Sequence, residues 1–232
     1  MSVLLTRPLD DSRRLASALA ERGYEVLIDP VLEIDLLTPS PPPRDRYQAV
    51  IVTSRHAVHA LADVPAELPV FCVGEATAER VRLGGRTQVS TGTGDGLGLA
   101  EAIVTTLDPR DGPLLHLAGA EIRTEPGDLL RAHGFQVERV LTYRARPASR
   151  LHPGTIEALD NRQIRQVLLF SPRTASLFMA LSGTLDLGGC DALCLSANVA
   201  AAVDPARLAR VLVATQPDEK ALLDLLEAPG HR

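Results

Sequence analysis

Apolar residues in this chain come mostly in short runs, each followed by a turn and then by a helical pattern. Val50-Ile51-Val52 runs into Thr53-Ser54, with Ala57-Val58 beyond. Such a unit reads as a buried strand, a sharp turn bearing two hydroxyls, and a helix N-terminus. The same order returns in Val167-Leu168-Leu169-Phe170-Ser171-Pro172. A second unit follows each of these, at Val70–Ala78 and at Ala192–Ala200. The opening unit, Val3-Leu4-Leu5-Thr6-Arg7 through Gly23-Tyr24-Glu25-Val26, is echoed by Leu114–Leu117 through Gly134-Phe135-Gln136-Val137. The chain reads as though written twice, which bears on architecture before any single motif does.

Taken in order, strands at 3–5 and 25–28 flank a helix predicted over 13–21, with Asp10, Asp11 and Ser12 offered as its caps. Further strands are predicted at 50–52, 70–73, 89, 113–117, 136–141, 167–170, 192–195 and 211–214. Helices are predicted at 55–61, 76–83, 99–107, 123–132, 154–159, 174–181, 199–203 and 219–226. Strands alternating with helices make an α/β protein with parallel sheets. Val31–Leu37 alternates as a half-exposed strand, and Thr142–Pro147 alternates again. Four prolines among residues 39–43 mark a semi-rigid boundary.

A length of 232 residues suits two lobes of about 100–130 residues each. If the two alternating segments pair, one lobe is residues 41–141. The other combines 1–30 with 149–232, and 31–40 and 142–148 form the crossover strands between them.

Composition narrows the classes. The net charge of −5 argues against a nucleic-acid surface. With 3% aromatic residues the core must be aliphatic. Three cysteines without a spaced framework read as reduced thiols of a cytoplasmic protein. Cys190 and Cys194 have no His at ligand spacing, so no metal is expected. No apolar run reaches the roughly 18 residues of a membrane span, and the N-terminus does not read as a signal peptide. The glycine-rich run 91–98 fits neither a dinucleotide fingerprint nor a phosphate loop, and reads as a mobile connecting loop. His56, His59 and His116 are scattered and read as surface or satisfied core residues.

The residues then resemble a known family. Leu5-Thr6-Arg7-Pro8, Val52-Thr53-Ser54 with Ala57-Val58, Val73-Gly74-Glu75-Ala76-Thr77-Ala78, Gly119 with Arg123, Val140-Leu141-Thr142-Tyr143-Arg144 and Phe170-Ser171-Pro172 follow the order and spacing of uroporphyrinogen-III synthases. The resemblance implies two flavodoxin-like lobes with parallel sheets, joined by a two-stranded crossover ladder, with the active site in the cleft between them. It implies a cofactor-free enzyme that closes hydroxymethylbilane, a linear tetrapyrrole bearing eight carboxylates; a monomer is expected. Water is lost and the terminal pyrrole ring is inverted through a spiro intermediate. Tyr143 matches the family tyrosine as mild acid or hydrogen-bond donor, a phenol ordinarily titrating near 10. Thr53, Ser54, Thr77 and Ser171 stand at strand-to-helix turns, where N–H groups and hydroxyls receive anions. Arg7 is a further candidate for the carboxylates.

One departure stands out. Where the family keeps a Gly and a Thr, this chain has Ser196-Ala197-Asn198-Val199, so the hydroxyl at 199 is missing and Asn198 or Ser196 is the replacement candidate. The alternative reading is accordingly a diverged, catalytically weak or silent tetrapyrrole-binding relative.

Overall fold

The continuous apolar runs are strands covered on both faces, as parallel sheets require. In β1 (Ser2–Leu5), Leu4 packs with Val167, Leu169 and Phe178, while Val3 and Leu5 pack with Leu15, Leu19 and Leu222 on the opposite face. The computed structural model describes residues 2–39, 46–121 and 126–227. These divide into one compact unit of Met1–Glu33 with Arg146–Arg232, and another of Ile34–Ala145.

The first unit holds β1, β2 (Glu25–Ile28) and three later strands, β9 (Ile164–Leu169), β10 (Asp191–Cys194) and β11 (Arg210–Val213). Their order across the sheet is β11-β10-β9-β1-β2, and every neighbour pair is parallel. Counted along the chain this is 2-1-3-4-5, the flavodoxin-like order. The second unit is built on β4 (Ala49–Val52), β5 (Val70–Cys72), β6 (Val89–Thr91), β7 (Leu114–Gly119) and β8 (Val137–Pro147), with β3 (Leu32–Leu36) at one edge. Its order is β3-β8-β7-β4-β5-β6.

The sequence echoes now acquire a structural meaning. They match β1 to β7, β2 to β8, β9 to β4, β10 to β5, and by position β11 to β6. Replacing each strand of the first sheet by its echo turns β11-β10-β9-β1-β2 into β6-β5-β4-β7-β8, which is the second sheet without its edge strand β3. Both units therefore share one spatial order, and the second is permuted along the chain.

Among the described residues eight α-helices complete the alternation: α1 (Leu9–Glu21), α2 (Glu75–Leu83), α3 (Gly96–Thr106), α4 (Pro126–Ala132), α5 (Pro153–Asp160), α6 (Pro172–Ser182), α7 (Ala197–Ala200) and α8 (Glu219–Asp224). Helix α1 begins four residues before its predicted start. Pro8 occupies the N-cap with φ −48 and ψ 146, and Asp10 and Asp11 lie inside the first turn, where their charge suits the helix dipole. After β4 the chain winds as a 3-10 helix over Arg55–Asp63 rather than an α-helix, with terminal bonds such as Ala57 N to Ser54 O running i to i−3. The segments predicted at 136–141 and 142–147 are one eleven-residue strand, β8. The proline-rich boundary at 40–45 and Arg123 lie outside the described residues.

Strand β3 runs antiparallel to β8, with Leu37 N bonded to Thr142 O at 2.8 Å and Ala148 N to Val31 O at 3.0 Å. In that register Asp35 stands opposite Arg144 and Glu33 opposite Arg146, and both pairs close, at 3.1 and 2.8 Å. The division between the units falls inside these two strands.

One buried guanidinium holds the 3-10 segment. Arg86 is 9% exposed and donates to the carbonyl oxygens of Leu61, Val64 and Pro65, while burial lowers its basicity. Arg86→Met would leave these carbonyls without their donor. It is expected to destabilise the protein by about 2–4 kcal/mol, read as a lowered urea midpoint. A midpoint within error of wild type would show that these bonds contribute nothing net.

Candidate active site

In the second unit, hydroxyl-bearing residues collect at the carboxyl ends of adjacent strands. Thr53 and Ser54 follow β4, Gly119 ends β7, and Tyr143 lies on β8 directly paired with Gly119. Thr77 lies in the first turn of α2, beyond β5, and is 7% exposed. Because β8, β7, β4 and β5 are successive neighbours, Tyr143, Thr53, Ser54 and Thr77 share one edge of the sheet.

The ladder between β7 and β8 shifts register between Ala118 and Gly119. At that shift the Tyr143 ring lies against the bare Cα of Gly119. A Cβ built there would stand 2.5 Å from Cζ of Tyr143 and 2.8 Å from its hydroxyl oxygen. Glycine is thus required at 119 by close approach, not by a special dihedral. The phenol ring also meets His56, with ring centroids 5.5 Å apart and planes tilted by 56°. The Tyr143 carbonyl receives the N–H of Ala120 at 2.9 Å, and Arg139 donates to the Gly119 carbonyl.

Ser54 is an N-cap, its hydroxyl accepting from His56 N at 3.3 Å. Thr53 is half-buried, and its Oγ1 lies 3.2 Å from Nε2 of His116. His116 is fully buried in β7. Burial pushes its imidazole down to about 4, and the guanidiniums of Arg139 and Arg131 act in the same direction. An unfolded histidine titrates near 6.5. Between these values the unfolded chain binds more protons, so the His116 contribution is complete above pH about 6.5 and is lost as pH falls towards about 4. The loss is expected to total about 3 kcal/mol at one residue. Chemical denaturation at stepped pH checks it, and His116→Gln should flatten the dependence in that window. An unchanged slope in the variant would contradict the assignment.

The glycine run beside this edge is held closely. Gly92 N bonds to Cys72 O and Gly94 N to Val73 O, both at 2.9 Å. A Cβ at Gly98 would fall 1.9 Å from Oγ1 of Thr93, and one at Gly92 2.6 Å from the backbone N of Leu99. Gly92 and Gly98 serve close packing and Gly94 a positive φ of 104°, where the sequence suggests only a connecting loop.

In the first unit, the edge formed by the carboxyl ends of β10, β9 and β1 carries Asn198, Ser171 and Arg7 in that order. Ser171 closes a capping box with Thr174: its hydroxyl accepts from Thr174 N at 3.1 Å, and Thr174 Oγ1 accepts from Ser171 N at 3.2 Å. Arg7 bonds Asp11 and Glu219, each at 3.3 Å, and stacks over Phe170 at 4.3 Å. Asn198 is exposed in the short α7. Val199, which stands where the echo has Thr77, is 2% exposed and packs into the core, so the missing hydroxyl leaves no hole.

Burial pushes the thiols of Cys72 and Cys190 up to about 12 and that of Cys194 to about 11, which removes them as nucleophiles. A cavity of about 910 Å³ lies at the opposite edge of the first unit's sheet, lined by Ser2, Glu25, Gln163 and Arg165 among others. It contains none of the hydroxyl residues above. Among the described residues no helix is long and apolar enough to cross a membrane. The arrangement in the second unit offers a phenol and several neutral donors, which can hydrogen-bond an oxygen and receive anions.

The sequence reading takes His116 as a surface or satisfied core residue and Gly119 as a family mark, and joins neither to Thr53 or Tyr143. His116 carries a legible signal, a lone imidazole inside Leu114-Leu115-His116-Leu117. The seat that Gly119 makes for Tyr143 depends on a cross-strand register shift, for which the local sequence has no mark.

The family model described as uroporphyrinogen-III synthase HemD matches residues 13–224. The crystal structure of uroporphyrinogen-III synthetase from Helicobacter pylori 26695 is similar, with a TM-score of 0.68 at 19% identity, over 97% of this chain and 98% of that one. A mutant uroporphyrinogen III synthase from the extremely thermophilic bacterium Thermus thermophilus matches with a TM-score of 0.50 at 14% identity, over 98% of this chain and 97% of that one. At these identities the two structures bear on the fold, and the family rests on the sequence model.

Proposed function

The chain belongs to the uroporphyrinogen-III synthase family, and we propose that Tyr143 is the hydrogen-bond donor at which its reaction begins. An enzyme of this family closes hydroxymethylbilane into a macrocycle, losing water and inverting the terminal pyrrole ring. The pyrrole lone pair drives the break of the terminal C–O bond. The departing oxygen takes a proton and leaves as water. A phenol held at that oxygen assists without a permanent charge that would compete with the substrate's carboxylates. The electrophilic methylene is then attacked by the substituted carbon of the last ring. The resulting spiro intermediate rearranges so that this ring is inverted, and the proton it sheds restores the phenol.

The observation that carries the role of Tyr143 is its seat on Gly119, which fixes the phenol at the carboxyl edge beside Thr53 and Ser54. We assign substrate binding to Thr53, Ser54 and Thr77 in one unit, and to Ser171, Arg7 and Asn198 in the other. Helix-start N–H groups and hydroxyls suit many weakly held carboxylates better than one strong clamp. The guanidinium of Arg7, already bonded to Asp11 and Glu219, would act chiefly as positive backing. Much of the rate enhancement would come from folding the flexible bilane into a reactive conformation. We read residues 41–141 as an inserted lobe, 1–30 with 149–232 as the terminal lobe, and the enzyme as a cytoplasmic monomer that contacts neither nucleic acid nor membrane.

Val199 is buried, so the absence of a hydroxyl there is accommodated by packing, and activity separates the synthase from a silent relative. Freshly prepared hydroxymethylbilane, followed by oxidation and chromatographic separation of the isomers, tests the activity. Isomer III formed above the spontaneous background supports it, and isomer I alone refutes it.

A further inference from the structure

His116 occupies the middle of β7, between core residues Leu115 and Leu117, and no part of it reaches solvent. A polar group so placed carries a desolvation cost that hydrogen bonding must offset. An apolar residue would fill the same place without that cost, so packing alone does not call for an imidazole. Its Nε2 reaches Thr53 Oγ1 at 3.2 Å, and Thr53 is the first residue beyond β4, half-buried at the edge that carries Tyr143.

A hydroxyl has one hydrogen and two acceptor positions. If Thr53 gave its hydrogen to the imidazole, only lone pairs would face an incoming carboxylate, and the contact would be repulsive. If Nε2 carries the hydrogen, it donates to Oγ1 and leaves the Thr53 hydrogen for the anion. We propose that His116 is a positioning residue for substrate binding: a neutral imidazole protonated on Nε2, it donates to Thr53 Oγ1 and aims the Thr53 hydroxyl hydrogen at a carboxylate of the substrate. This deepens, and rests on, the reading of Thr53 as a carboxylate-binding residue of the ring-closing enzyme. The chained donors polarise each other, so the hydroxyl is a better donor than an isolated threonine. The imidazole stays neutral through the assay range, since burial depresses its basicity, and it takes no proton from the reaction.

Two measurements on the intact enzyme decide the matter. Nitrogen-15 NMR of the histidine-labelled protein, with His116 assigned from the His116→Gln variant, is expected to show the proton on Nε2 between about pH 6 and 8. A proton on Nδ1 with Nε2 bare overturns the proposal. In the isomer III assay, Thr53→Val and His116→Leu are each expected to raise KM about tenfold while kcat changes less than about threefold. The double variant should be no worse than Thr53→Val alone, and His116→Gln, whose amide N–H₂ can stand in for Nε2–H, should bring KM back to within about threefold of wild type. Losses that multiply in the double variant, or an unchanged KM in His116→Leu, refute the coupling. If His116→Leu does not fold, the wild-type tautomer and the Gln variant still decide. A wild-type protein that yields isomer I alone would instead sink the functional reading, whichever tautomer His116 adopts.

Discussion

Tyr143→Phe lowers the rate of isomer III formation by about 10²–10⁴-fold, the range over which a positioned proton donor acts. The substitution removes one oxygen and keeps the ring. The ring keeps its own contacts with Gly119 and His56 when the hydroxyl is removed, so the thermal midpoint should stay near that of wild type. The backbone bond from Ala120 N to Tyr143 O is untouched. Substrate affinity should change little, because the carboxylates are assigned to other residues. Steady-state kinetics beside a thermal melt separates the two effects. A rate equal to wild type would remove Tyr143 from the chemistry and return it to the role of a packed strand residue.

Gly119→Ala has the second large effect, and it acts through Tyr143. The new methyl would lie 2.5 Å from Cζ of the phenol, well inside any carbon–carbon contact. The phenol ring ends a side chain with two torsions, so it swings away and the backbone survives. The stability cost is that of mild overpacking, about 1–3 kcal/mol. A catalytic cost adds to it, because the hydroxyl moves by an ångström or more, and a displacement of that size costs about 10²-fold in rate. The double variant Gly119→Ala with Tyr143→Phe should then be scarcely slower than Tyr143→Phe alone. Independent, multiplying losses would mean that Gly119 acts on the site by another route.

The duplication was legible from hydrophobic runs alone. Strand, turn and helix N-terminus recur with the same residue types, and the echoes map the strands of one sheet onto those of the other in order. The permutation was less plain, since it needs β1 and β2 to join strands that lie well over a hundred residues later. Local rules failed where a neighbouring residue overrode them. Asp10 and Asp11 looked like caps, but Pro8 already fixes the entry to α1. The segment after Ser54 looked like an α-helix, yet winds more tightly over Arg55–Asp63, with Arg86 bound at its far end. Ser54 and Ser171, placed by the sequence at strand-to-helix turns, are N-caps there, a short-range role for a hydroxyl. Thr77, placed at such a turn as well, lies within α2 behind an N-cap glycine. The seat of Tyr143 and the bond between His116 and Thr53 join residues 24 and 63 positions apart, and only the assembled sheet brings them together.

The most direct test of this account is the isomer ratio from freshly made hydroxymethylbilane, measured side by side for wild type, Tyr143→Phe and Gly119→Ala. Wild type should yield isomer III well above the spontaneous product, and both variants should drift towards isomer I at close to the uncatalysed rate while remaining folded. Isomer I alone from wild type, or isomer III undiminished in both variants, would contradict the claim that this chain inverts the terminal ring with a phenol seated on Gly119.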